Sequence, residues 1–359
     1  MGIFPCNRAL ETKRPEIRFP EKVPCQTENR RDRKMYDVTA IGELLIDFAN
    51  KSTDENGYPT LAANPGGAPG NFLAALSAYG CSTAFLGKVG EDAFGNLLIT
   101  TLKKAGVETE GIVRDPSVFT TLAFVTIDST GNRSFSFARK PGADTQLTFE
   151  ELNMALIKGC RDFHFGTLSL TDDPVRTATR KAVAYAKNEG KWISFDPNLR
   201  KPLWKNLDEA RRQMLWGFHQ ADIVKVSDEE IDFLWGCSCE QASKKLHEEF
   251  GVKIAFITLG PKGCYYSGNG FHGTVKTPSG IHPVDTTGAG DIFTGAALSR
   301  LLAPGKSLSH IGDNDLCQAA KFACCAASLS TQYYGGIPSV QPLKEVNKLL
   351  ADEFIALVD

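Results

Sequence analysis

The chain has 359 residues, and its 40 Lys and Arg against 42 Asp and Glu leave a formal charge of −2. That balance excludes a wholesale nucleic-acid binder, which needs a clear excess of Lys and Arg. An apolar share of 42% and a charged share of 23% exclude a disordered chain, and the length suits one large domain or two medium ones.

Residues 1–34 hold four prolines, the cluster Arg30-Arg31-Asp32-Arg33-Lys34 and no apolar run. They read as a flexible N-terminal extension with no signal peptide. From Tyr36 the pattern alternates strand and helix. Tyr36–Phe48 is apolar and β-prone, and residues 71–79 place Phe72, Leu73, Ala75, Leu76 and Tyr79 at helical spacing before Gly80, a residue suited to a helix C-terminus. Residues 83–89 read as a strand, and residues 92–105 as a helix stopped by Gly106. Thr171-Asp172-Asp173-Pro174 reads as a helix start. Residues 193–196, 222–226 and 254–259 are short apolar strands separated by helical stretches. This rhythm predicts a mostly parallel sheet covered on both faces. Two stretches, 49–65 and 112–140, alternate apolar and polar residues instead. The second contains strands over 118–127 and 132–138 around Ser129-Thr130-Gly131, and together the two stretches predict a small antiparallel flap.

The ten cysteines are scattered without a C-x-x-C pair, and none of the six histidines has zinc-site spacing. They read as reduced thiols of a cytoplasmic protein. The longest uncharged run, 322–343, is interrupted by Gln332, Gly335, Gly336, Pro338 and Gln341, so no membrane span is expected.

Two motifs are decoys. Gly268-Asn269-Gly270-Phe271-His272-Gly273 matches G-x-G-x-x-G, but a strand-like segment ending at Pro278 follows where a dinucleotide site needs a helix. A hairpin turn is expected there, and the nicotinamide oxidoreductase reading fails with it. Gly305-Lys306-Ser307 echoes a phosphate loop but has Arg300 where a glycine is required.

The strongest signal is Val284-Asp285-Thr286-Thr287-Gly288-Ala289-Gly290-Asp291. Three small residues precede a helix, whose free N–H groups form an anion site that a ligand can approach closely. Asp291 is either a helix starter or a base that takes a proton from a hydroxyl attacking a phosphoryl group held over those amides. Gly66-Gly67-Ala68-Pro69-Gly70-Asn71 also precedes a helix, where Asn71 could cap the helix or bind a polyol. Asp47 ends an apolar strand, facing either a sugar's hydroxyls or solvent. Phe195-Asp196-Pro197-Asn198-Leu199-Arg200 lies at a strand's carboxyl end, where open α/β sheets place ligands. At another strand end, Ser227 and Glu230 suit either a capping box or a site in which Glu230 holds Mg²⁺ through water.

Asp285–Phe293 (DTTGAGDIF), GGAPGN and FDPNLR together resemble the ribokinase-like carbohydrate kinases, most closely the fructokinase branch, over about residues 35–342. The resemblance implies an α/β three-layer sandwich with a mostly parallel central sheet and a small antiparallel β lid. It places a sugar kinase domain over 35–345, with its lid at 49–65 and 112–140 and a C-terminal helix at 346–359. It implies ATP and Mg²⁺, with K⁺ a candidate at Asp285 and Thr287. Asp291 would be the catalytic base, and the amides of Gly288, Ala289 and Gly290 the anion hole. Asp47, Gly66, Gly67, Asn71 and, from the lid, Arg139 would contact the sugar. Asn198, Lys225, Ser227, Thr258, Gly260, Gly263 and Cys324 would face the nucleotide.

Three residues depart from the family pattern. Ser227 and Cys324 stand where asparagines are common, and Gly70 stands where alanine is usual, which implies looser helix packing nearby. The implied reaction is phosphorylation of fructose to fructose 6-phosphate. 2-Keto-3-deoxygluconate, ribose and nucleosides are alternative acceptors within the family. A catalytically silent binding protein is the reading from another class, and intact Asp291 and its glycine loop argue against it. An open lid edge implies a homodimer through the lid.

Overall fold

The computed structural model describes residues 35–127, 133–302 and 306–354. Its strands are β1 Tyr36–Ile41, β2 Leu45–Thr53, β3 Pro59–Gly66, β4 Thr83–Gly90, β5 Glu108–Asp115, β6 Thr121–Ile127, β7 Arg133–Ala138, β8 Cys160–Gly166, β9 Trp192–Asp196, β10 Ile223–Ser227, β11 Ile254–Thr258, β12 Cys264–Gly268 and β13 Phe271–Val275. The helices are α1 Ala68–Ala78, α2 Ala93–Lys104, α3 Met154–Lys158, α4 Val175–Asn188, α5 Leu207–Gln220, α6 Asp228–Leu234, α7 Cys239–Glu248, α8 Ala289–Leu301, α9 Asp313–Ser330 and α10 Leu343–Phe354.

Nine strands form one sheet in the order β13-β12-β11-β10-β9-β8-β1-β4-β5, parallel from β11 to β5 and antiparallel at β12 and β13. Strand β8 shows why both faces need cover. Phe163 and Phe165 enter the core shared with α3 to α7, and Phe165 stacks on Phe195 at 4.6 Å. His164, on the opposite face, stacks on Phe72 of α1 at 3.9 Å, against the core that α1, α2, α8 and α9 build. His164 Nδ1 lies 2.9 Å from Ser194 Oγ, which donates to Asp162 Oδ2 at 2.6 Å. These are the residue types of a hydrolase triad, but none is more than 3% exposed, so they form a buried polar network.

The expected run over 36–48 divides. The chain turns at Gly42-Glu43-Leu44, so that β1 stays in the large sheet and β2 leaves for the lid. The lid sheet has the order β3-β2-β6-β7; β2–β3 and β6–β7 are antiparallel, and β2–β6 is parallel. Residues 112–115 belong to β5 of the large sheet rather than to the lid, and Ser129-Thr130-Gly131 lies outside the described residues. Phe48 fastens the lid, stacking on Phe124 at 5.3 Å and meeting Phe94 of α2 edge-on at 5.6 Å.

Helix α2 lies within the expected span and ends before Gly106 (φ 85°), and at its start Asp92 Oδ1 accepts from the amides of Phe94 at 2.9 Å and Gly95 at 2.8 Å. The decoy at 268–273 is the β12–β13 hairpin, turning through Asn269 (φ 51°) and Gly270 (φ 85°). A Cβ on Gly70 would lie 2.9 Å from Leu44 Cδ2, so packing there is tight, contrary to expectation. The C-terminal helix starts at Leu343, earlier than residue 346, and buries Val346.

Candidate active site

The carboxyl ends of β1, β9, β10 and β11 converge with the N-termini of α1 and α8, the place where an open parallel sheet binds ligands. Gly288 caps α8 at φ 76°, and a Cβ there would stand 2.8 Å from Gly336 Cα. No side chain caps this helix. Among the described residues the amides of Gly288 and Gly290 meet no acceptor, and Ala289 N reaches only Thr286 O, at 3.3 Å. A half-exposed set of N–H groups therefore faces the cleft as an anion site.

Asp291 is 7% exposed and held from two sides. Asn198 Nδ2 donates to its Oδ1 and Asn71 Nδ2 to its Oδ2, both at 2.8 Å. Burial raises its pKa above the usual carboxylate value, while Asn71, Lys225, Arg200 and Asn198 oppose the rise. Asn71 lies inside α1, so it is a base-holding residue rather than a helix cap. Its Oδ1 is buried without a hydrogen-bond donor and sits against Gly336. Asn198, expected on the nucleotide side, takes a left-handed backbone (φ 46°) that turns its amide onto Asp291.

Lys225 is buried between Asp196 and the anion loop. Its Nζ lies 3.1 Å from Asp196 Oδ2, and a Cβ on Gly290 would stand 3.0 Å from the same nitrogen. Burial pulls its pKa down, but the charges of Asp196, Glu230 and Asp291 more than compensate and hold it protonated. Asp196 is pushed up to about 6 by burial, with Lys225 opposing. Thr294 Oγ1 donates to Gly290 O at 2.9 Å and lies 3.4 Å from Asp196 Oδ2, joining the first turn of α8 to β9.

On the lid side, Asp47 is paired in register with Asn64, and a Cβ on Gly66 would lie 2.5 Å from Asp47 Oδ2. Asp47 is pushed up to about 6 by burial; the charges of Asp291 and Asp285 add to the rise and Arg200 opposes it. Gly67 caps α1 at φ 114°, where a Cβ would stand 2.5 Å from Glu43 O. Glu43 Oε1 accepts from Ala68 N at 2.8 Å, tying the root of the lid to α1.

Several expected roles change. Arg139 turns into the protein: Nε donates to Asp144 Oδ2 at 2.8 Å, Nη1 to Thr171 Oγ1 at 2.9 Å and Nη2 to Leu168 O at 2.8 Å, so it clamps the lid to the body. The capping box at Ser227 and Glu230 is real. Ser227 Oγ accepts from Glu230 N at 3.2 Å, and Glu230 accepts from Ser227 N and Leu199 N, both at 2.8 Å. With one amide on each oxygen, Glu230 fixes two loops. Asp285 Oδ1 accepts from Thr287 N and Oγ1, and Oδ2 from Gly335 N, so this carboxylate holds its own loop together.

Gly263 is required by the closure of β12 and β13, where a Cβ would run into Val275 O, and Gly260 is an exposed turn residue at φ 54°. Thr258, half-buried, ends β11 beside Ser227. Cys324 is 3% exposed inside the core. Among the described residues no group of three or more His, Cys, Asp and Glu is arranged to hold a metal.

Sequence reasoning missed the roles of Asp196, Glu43, Gly335 and Gly336. The first two lie in the strings at 195–200 and 42–47 and carried a signal. Gly335 and Gly336 sit in a segment read only for hydropathy.

Comparison with known proteins decides the family. The profile described as pfkB family carbohydrate kinase matches residues 35–343. The chain belongs to the pfkB family of carbohydrate kinases. Among relatives of this kinase, "Fructokinase-1" of Zea mays is 42% identical over 319 residues, covering 87% of this chain and 97% of the relative. A fructokinase from Xylella fastidiosa with bound ATP superposes with a TM-score of 0.81 at 28% identity, over 88% of this chain and 98% of the other. A fructokinase from Vibrio cholerae O395, solved in a form binding fructose, ADP and calcium ion, superposes with a TM-score of 0.78 at 30% identity, over 88% and 99%. The pfkB kinase fold thus accounts for both sheets, the lid included, from Tyr36 to the start of α10.

Proposed function

We propose that this kinase transfers the γ-phosphoryl group of ATP to the primary hydroxyl of fructose, giving fructose 6-phosphate. The observation that carries the reading is the meeting of Asp291 with the unpaired Gly288 and Gly290 amides at one helix terminus. The fructokinase relatives, and the fructose- and ADP-bound neighbour, support the acceptor. 2-Keto-3-deoxygluconate, ribose and nucleosides stay as alternative acceptors, since a hydroxyl more or less is decided by single contacts.

Each step uses residues of this chain. Asp291 takes the proton of the attacking hydroxyl. The sugar oxygen then bonds to the γ-phosphorus as the bond to the β–γ bridging oxygen breaks, and ADP leaves with that electron pair. The Gly288–Gly290 amides and the ammonium of Lys225 take up the charge on the moving group. Asp47 accepts sugar hydroxyls from the lid side, and a hydroxyl donating to Asn71 Oδ1 would satisfy that orphaned oxygen. The lid, closing over the sugar, would exclude water and so suppress hydrolysis of ATP. Mg²⁺ would be held by the phosphates of ATP and, through water, by Glu230, and would neutralise phosphate charge.

Outside the cleft, the lid exposes Tyr58 (68%), Leu61 (41%) and Phe119 (77%), and we propose that a second copy covers this face. Light scattering behind size exclusion should give twice the chain mass, and a monomer would remove the proposal. The unpaired described cysteines support a cytoplasmic location, and no described helix is long and apolar enough to cross a membrane.

A coupled assay of ADP release across fructose, ribose, 2-keto-3-deoxygluconate and nucleosides, with and without K⁺, tests the main reading. Fructose should give the highest kcat/KM. A higher value on another acceptor reassigns the substrate, and no turnover on any would leave the silent-binder reading.

A further inference from the structure

Asn64 of β3 stands directly opposite Asp47 of β2 in the antiparallel register of the lid. Residues paired in this way point to the same face of a sheet, with Cβ atoms about 4.5–5.5 Å apart. The opposite face is spent on packing, since Phe48 stacks on Phe124 and meets Phe94 of α2. The face of Asp47 and Asn64 is therefore the one turned away from α2. Both side chains are half-buried. Among the described residues neither has a firm partner: Asn64 Nδ2 makes only a 3.5 Å contact to Ala62 O, two residues back, and the Asp47 carboxylate accepts no hydrogen bond.

The surroundings hold the pair at the cleft. Two residues after Asn64, Gly66 leaves the room that Asp47 Oδ2 occupies, 2.5 Å from where a Cβ would stand. On the other flank, a Cβ on Gly335 would lie 3.7 Å from Asn64 Cβ, and Gly335 N donates to Asp285 Oδ2 at 2.9 Å. Asn64 thus stands between the sugar-side acid and the segment tied to the anion loop. Asp47's neighbour on β6 is Ala123, which has no polar atom to offer, so Asn64 is its hydrogen-bonding neighbour across the strands.

An ionised carboxylate only accepts. A sugar hydroxyl that donates to Asp47 keeps lone pairs that need a donor, and the amide of Asn64 supplies two N–H groups and one acceptor. With Asp291 on the primary hydroxyl at C6, the vicinal secondary hydroxyls of the fructose ring are those at C3 and C4. We propose that Asn64 is a specificity-determining residue: with Asp47 it reads this vicinal pair, donating to the hydroxyl that donates to Asp47 and accepting from its neighbour. The inference rests on the fructokinase reading of the site and deepens it, because inverting either carbon takes a hydroxyl off the pair and leaves polar groups unmatched.

The test compares full-length wild type, Asn64→Ala and Asn64→Leu in the ADP-release assay on fructose, its 3-epimer allulose, its 4-epimer tagatose and its 5-epimer sorbose. Asn64→Ala should lower kcat/KM on fructose about 5–20-fold, chiefly through KM, with KM for ATP within about twofold of wild type. The preference for fructose over allulose or over tagatose should shrink at least about threefold, while the preference over sorbose holds. Asn64→Leu, close in shape and without polar atoms, should give the same pattern, and it decides the outcome if Asn64→Ala loses its circular dichroism signal. A kcat/KM on fructose within twofold of wild type overturns the proposal. So do a smaller change in both epimer ratios and an equal loss on all the sugars, which marks a merely structural role. A wild type that phosphorylates none of these ketohexoses would bring down the fructokinase reading itself, a result distinct from an active enzyme indifferent to Asn64.

Discussion

Asn198 donates to Asp291 Oδ1 at 2.8 Å from a backbone held at φ 46°, a conformation few residues adopt without strain. The hydrogen bond favours the ionised form of a carboxylate that burial otherwise pushes toward protonation. Asn198→Gly keeps the backbone angle accessible and deletes the amide. We expect kcat to fall about tenfold, the worth of one hydrogen bond to a charged group, and the acid limb of the pH–rate profile to move to higher pH. A merely structural role would lower stability and leave that limb in place, so the pH profile separates the two.

Asp291→Ala removes the base itself. Turnover should drop by roughly 10²–10⁴, about 3–5 kcal/mol of barrier, with the thermal midpoint close to wild type because a buried carboxylate is lost along with the desolvation it suffered. Single-turnover measurements that showed near-normal phosphoryl transfer would require a different proton acceptor.

The parts of this site that were legible in the sequence are those fixed by local backbone chemistry. Gly288-Ala289-Gly290-Asp291 announces a helix start open to an anion, Gly268–Gly273 gives away its hairpin through the segment after it, and Ser227 with Glu230 spells its cap. The split of the first strand was not legible, because Tyr36–Ile41 and Leu45–Phe48 read as one apolar run, and only packing on Pro69 and the root of the lid turns the chain at Gly42. The partners of Asp291 were hidden for a related reason. Asn71 and Asn198 lie 220 and 93 residues away along the chain, and which way an asparagine turns its amide is settled by neighbours that the sequence does not place. Arg139 misled because a lid position suggests a ligand contact, whereas Asp144, five residues on, satisfies it first.

The buried network under Phe72 gives a pH dependence of stability. Burial pushes Asp162 up to about 8 from an ordinary 3.8; the charge of Asp222 adds to this, and the Ser194 hydroxyl and the Arg161 charge oppose it. The folded chain therefore holds this proton more tightly than the unfolded chain. The resulting stability is complete below about pH 4 and is lost as pH rises through about 8. The wild type should melt roughly 2–4 °C higher at pH 6 than at pH 8.5, and Asp162→Asn should shrink that gap. Glu43, raised to about 7 by burial, acts in the same direction, so part of the gap should survive. Equal gaps in the two proteins would place the titration elsewhere.

Asp47 links pH to sugar affinity in the opposite sense. It is pushed up to about 6 by burial, helped by the charges of Asp291 and Asp285, and only its ionised form can accept from two sugar hydroxyls at once. As pH falls through about 6 the carboxylate takes up a proton, and KM for fructose should climb while ATP affinity holds. Asp47→Asn should raise that KM about 10–100-fold, the worth of hydrogen bonds to a charged group, and flatten its dependence between pH 5 and 7. The acid limb of kcat should persist in this variant, because it belongs to Asp291. A calorimetric titration in which Asp47→Asn binds fructose normally but loses ATP would move the sugar pocket away from the lid root and place the nucleotide there.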